Sequence, residues 1–156
     1  MNVFKDVCVL VKNALTGWTM EKAVAFGTTP KRAAMAAWRM MASFDVPDLC
    51  DQYAECLSSI LQANKIEHHI VTMVPTTDQL ARYTSDGTKV LDGHAIVVGE
   101  DDRGLWSAGS EWGFSRAKSW AALKRKQSAT CRQPMEIGQK RRVVAKLQND
   151  WDEIGI

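Results

Sequence analysis

Between residues 49 and 74 the chain changes its period, and that change restricts the fold more than any other feature. Over 49–63 the apolar positions Leu49, Tyr53, Cys56, Leu57, Ile60 and Leu61 recur at steps of three and four, the stripe of an amphipathic helix. Asn64-Lys65 ends it. The next run, His69-Ile70-Val71-Thr72-Met73-Val74, is β-branched and closed by Pro75, which is the composition of a strand.

The rest of the chain falls on either side of this switch. Before it, apolar spacing predicts helices over 3–15, 20–26 and 31–43. Thr19 serves as an N-cap for the second, Gly27 as its stop, and Thr29-Pro30 as the start of the third. After it, strands are expected over 69–74, 88–91, 93–99 and 104–107, with Glu100-Asp101-Asp102-Arg103-Gly104 as a hairpin turn. Helices are expected to resume over 115–126 and 134–151. Helices, then strands, then helices predict an α+β fold with a helical N-terminal part, a small antiparallel sheet packed on the 49–63 helix, and basic C-terminal helices. At 156 residues one domain is expected, with a helical lead-in to 45, a core over 46–112 and a basic tail over 113–156.

Composition narrows the function classes. A hydrophobic fraction of 46% with 24% charged residues suits a water-exposed globular chain, and no run of 18 apolar residues is present, so no membrane span is expected. No secretory signal is expected from Met-Asn-Val-Phe-Lys-Asp at the start, which makes the cytoplasm the expected compartment. Cys8, Cys50, Cys56 and Cys131 follow no zinc-ligand spacing, and His68-His69 lacks further ligands, so neither a metal nor another cofactor is expected. Charge is unevenly spread. Residues 116–146 hold ten Lys/Arg against Glu136 alone, a block suited either to a solvated face or to an anionic partner.

One arrangement suggests a reaction. Cys50 lies in the first turn of the 49–63 helix, where unpaired amide hydrogens and the helix dipole favour a thiolate. His94 opens the run Gly93-His94-Ala95-Ile96-Val97-Val98, so an imidazole is available from a second element. The order Cys-x-x-Tyr-Ala on a helix, a strand, then His-Ala-x-Val on another strand resembles the core of the transglutaminase-like, papain-related cysteine peptidases, over about residues 46–112. That resemblance implies Cys50 as nucleophile and His94 as general base, with Tyr53 and Ala54 packing the helix. It implies an orienting Asp or Asn on the following strand, where this chain offers Ser107 or Ala108, or Ser110 or Glu111 in another register. Leu49 and Gln52 stand where the family has a glycine and an acid. Gln52 is a candidate to help hold the oxyanion, Trp106 and Trp112 are candidates to wall a substrate groove, and a protein or peptide is the implied substrate.

Two other readings compete. A catalytically degenerate member of the same fold would keep the architecture for binding. A nucleic-acid-binding regulator would use the helix-turn-helix-like segment 18–39, with Lys31 and Arg32, together with Lys124, Arg125, Arg141 and Arg142 in the basic 116–146 region.

Overall fold

The computed structural model describes residues 18–41, 49–76, 93–110 and 113–144. The expected helix over 3–15 and strand over 88–91 lie outside the described residues. Among the described residues there are four helices, α1 (Met20–Phe26), α2 (Pro30–Met41), α3 (Leu49–Ala63) and α4 (Trp120–Cys131). Five strands accompany them: β1 (His68–Pro75), β2 (His94–Asp101), β3 (Gly104–Gly109), β4 (Gly113–Ala117) and β5 (Met135–Val143). The strands form one antiparallel sheet in the order β4-β3-β2-β1-β5, giving the α+β fold expected from the sequence.

Local chemistry sets the helix ends. Thr19 Oγ1 accepts from the Lys22 amide at 3.1 Å, and Thr29 Oγ1 accepts from the Arg32 amide at 3.2 Å. α3 ends in a Schellman turn, with the Ile66 amide on the Leu61 carbonyl (2.9 Å) and the Lys65 amide on that of Gln62 (3.0 Å). Lys65 takes the left-handed position at φ 60°, which penalises any side chain with a Cβ. Lys65→Gly should therefore stabilise the protein by about 0.5–1 kcal/mol, the relief offset in part by glycine's freer unfolded state. Thermal unfolding would register this as a rise of roughly 1–4 °C.

The sheet has two covered faces. Ala95, Val97, Trp106 and Ala108 pack beneath α1, α2 and α3, whose Ala33, Ala37, Tyr53, Leu57, Ile60 and Leu61 complete one core. Val71, Met73, Ile96 and Val98 face the other way onto Leu123 of α4 and Met135. This is why Ala95-Ile96-Val97-Val98 is apolar without alternation: β2 is central and buried on both faces. At Gly27 the turn between α1 and α2 lies against α3, where an added Cβ would fall 2.7 Å from Ile60 Cγ2.

Two expectations are corrected. The 134–151 segment does not begin as a helix. Met135–Val143 pairs with β1 along most of its length, because the edge of β1 offers a row of backbone partners that local periodicity does not reveal. The expected helix over 115–126 starts later, at Trp120 with Ser119 as its cap. Residues 113–117 pair with β3 instead. Gly113, at φ 60°, supplies the left-handed residue from which β4 leaves the turn.

Candidate functional site

α3 runs antiparallel to β1, tied near its C-terminal end by Ser58 and His68, whose Oγ and Nε2 lie 2.7 Å apart, and by Glu55–Arg141 at 2.9 Å. Since β2 is antiparallel to β1, the start of α3 and the start of β2 come to the same end of the molecule. Cys50 is the second residue of α3 and His94 the first of β2. Cys50 is half-buried against the core under α1–α3, while Asp51 beside it is exposed. Tyr53 and Ala54 are buried, as expected. The Tyr53 hydroxyl donates to the Ala34 carbonyl at 2.9 Å and anchors the first turns of α3 to α2.

His94 is buried and stands opposite Met73 in the β1–β2 register. In the pleat it is in step with Ile96 and Val98, and Ala95 is the residue of this end that faces α3. An imidazole working with Cys50 must therefore reach round the end of the sheet past Ala95. Gln52 is half-buried, and its Oε1 is a buried acceptor with no hydrogen-bond partner among the described residues. It lies one turn inside the same helix start.

Ser107 is corrected as the third catalytic group. It pairs with Val98, four residues along β2 from His94 and so about 13 Å away. Its hydroxyl is 3.1 Å from that of Ser115 on β4. Counting on from the Val97–Ala108 pair brings Ser110 level with Ala95, next to His94. Ser110 is thus the described residue of this connection nearest the imidazole in register. Glu111 and Trp112 lie outside the described residues. Trp106 is also corrected: it is 1% exposed, lies over Gly99 and stacks on Phe114 with centroids 6.0 Å apart, so it fills the core and walls no groove.

The basic residues of the nucleic-acid reading do not share a face. Lys31 and Arg32 are on α2, on one side of the sheet, while Lys124 and Arg125 are on α4, on the other. Arg141 and Arg142 lie on edge strand β5, in ion pairs with Glu55 and Glu67. Arg32 donates to the Phe26 carbonyl at 2.7 Å and lies over the Phe26 ring, and Arg39 lies over Trp18. The alanines of α2 turn inward as the packing surface of a helix hairpin. No described helix is long and apolar enough to cross a membrane, and no group of three or more His, Cys, Asp or Glu among the described residues could hold a metal ion.

Sequence reasoning missed a groove between α2 and edge strand β4, about 530 Å³ in volume, lined by Trp18, Phe26, Met35, Trp38 and Phe114. The only sequence signal for it is Met35 and Trp38, which fall outside the inward-facing alanine stripe of α2. Comparison with protein-family models, curated proteins and solved structures finds no match to this chain.

Proposed function

We propose that this chain is a thiol-dependent amide hydrolase or acyl transferase of the transglutaminase-like, papain-related kind, acting on a protein or peptide. The observation that supports it is that the start of α3, bearing Cys50, and the start of β2, bearing His94, lie toward the same end of a helix-on-antiparallel-sheet core. His94 takes the Cys50 thiol proton, and the thiolate adds to the substrate's carboxamide carbon. The oxyanion that forms is held by amide hydrogens of the first turn of α3, with the Gln52 side-chain amide alongside. The C–N bond then breaks, the leaving amine takes the proton from His94, and a thioester on Cys50 remains. Water or a second amine, deprotonated by His94, releases the acyl group and regenerates the thiol.

Labelling with iodoacetamide across pH tests this, with the site read by mass spectrometry in the wild type, Cys50→Ala and His94→Ala. Cys50 should react ahead of the buried Cys56, and its labelling should persist well below the ordinary thiol pKa of about 8.5. His94→Ala should return the profile to that value and slow neutral-pH labelling about tenfold or more. An ordinary thiol profile at Cys50 that ignores His94→Ala would remove the reading.

A further inference from the structure

The groove beside α2 continues into a second cavity of about 560 Å³ at its N-terminal end, and the two share Lys31 and Phe114 as walls. Their characters differ sharply. The first is walled by four aromatic rings, with Lys31 and Arg39 also in its lining, and on α2 Met35 is 53% and Trp38 55% exposed, an unusual amount of apolar surface left to water on one helix. The second gathers Lys31, Arg103 and Arg116 against one acid, Asp101. Both Asp101 oxygens are already taken by the Arg116 guanidinium, at 2.9 and 3.0 Å, which holds that carboxyl below its usual range. Lys31 and Arg103 form no ion pair among the described residues, so the pocket keeps an excess of positive charge at one end of an apolar trough.

We propose that this pair of cavities binds a single-chain anionic amphiphile, a free long-chain carboxylate, with its chain along the α2–β4 groove and its head group at Lys31 and Arg103. Charge complementarity selects the occupant: an apolar body alone would leave the cationic end unanswered, and an anion alone would leave the aromatic walls wet. The volume lies within the range of small-molecule sites. Lys31, Arg103 and Arg116 gather at one end of a concave trough, with Arg39 laid over the Trp18 ring farther along its wall, where a bilayer-docking surface would carry its cations around a protruding apolar patch. The inference does not depend on Cys50. Asp101 and Arg103, at one end of the trough, belong to the β2–β3 turn, at the opposite end of β2 from His94.

Calorimetric titration of the full chain with laurate below its micellar range tests the proposal. Saturable one-site binding is expected, with no comparable binding of dodecyltrimethylammonium, which has the same chain and the opposite charge. The double variants Lys31→Glu/Arg103→Glu and Met35→Ser/Trp38→Ser should each weaken laurate by about tenfold or more, as loss of the head contact or of the walls requires. Both change exposed side chains, and an acid near the start of α2 suits its dipole, so circular dichroism should report unchanged folding. Absence of saturable laurate binding would overturn the proposal. So would equal binding of the cationic amphiphile, indifference to both variants, or binding only to anionic phospholipid vesicles. None of these outcomes bears on iodoacetamide labelling of Cys50.

Discussion

Gly99→Ala should destabilise the protein by about 3 kcal/mol, because the position has no room for a methyl group. A Cβ there would fall 2.1 Å from Trp106 Cζ2 and 2.3 Å from Cε2, well inside contact distance. The indole is a poor candidate for yielding. It is buried to 1% exposure in the core under α3, on the strand paired with Gly99, and is stacked on Phe114. Moving it disturbs β3 and β4 together with the helical layer. Chemical denaturation should show the loss, and thermal unfolding a fall of roughly 6–12 °C for a chain of this size. Trp106→Leu alone is also destabilising through lost aromatic burial. In the double variant the two losses should add to less than their sum, because a smaller residue at 106 vacates the space the alanine needs. A cycle with no coupling would mean that the clash is relieved elsewhere.

The same pair of residues illustrates what a sequence discloses. Six tryptophans in a short chain invite a substrate-groove reading, and Trp106 is near the proposed site in chain order. Its role depends on which residue of β2 it opposes, and that is a matter of register. Register is likewise what removes Ser107 from the third catalytic position: a strand reading places it on the strand after His94, but only pairing with Val98 shows that it sits at the wrong height. By contrast α3 is legible, since its apolar stripe and its Asn64-Lys65 stop agree with the helix described. β2 was legible through its unbroken apolar run.

β5 was not legible, for a physical reason. Its run of Gln139-Lys140-Arg141-Arg142 has no apolar alternation because the strand lies at an edge with most residues exposed. Nothing local to it prefers a strand over a helix. The backbone edge of β1 supplies the partner, and the charges then serve a second purpose, since a row of cations on an edge strand discourages pairing with another chain. Part of the positive charge of the C-terminal third is thereby explained by the sheet itself, with Arg141 and Arg142 partnered by Glu55 and Glu67.

Acidification should loosen the fold through His68. The ring is 2% exposed, bridged at Nε2 to Ser58 Oγ (2.7 Å) and at Nδ1 to the Ile66 carbonyl (2.9 Å). A carbonyl can only accept, so Nδ1 carries the proton and the Ser58 hydroxyl donates to Nε2: both bonds are made by the neutral ring. Burial disfavours the imidazolium, and the nearby His69 and Arg141 disfavour it further. The Ile66 bond acts in the opposite sense, and the net effect is a pKa below 6.5. Glu55 and Glu67, the acids at this end, are each engaged by an arginine. The unfolded chain, whose histidine titrates near 6.5, then binds a proton that the folded chain resists. Stability contributed by His68 is complete above that pH and is lost as pH falls through it toward the folded value. Denaturant titrations over this range should show unfolding free energy declining with pH, and the slope should shrink in His68→Gln, which cannot ionise. His68→Ala should cost about 2–3 kcal/mol even at neutral pH, since it strands the Ser58 hydroxyl and the Ile66 carbonyl at the junction of α3 and β1. A wild-type slope that survives unchanged in His68→Gln would assign the acid sensitivity to other groups.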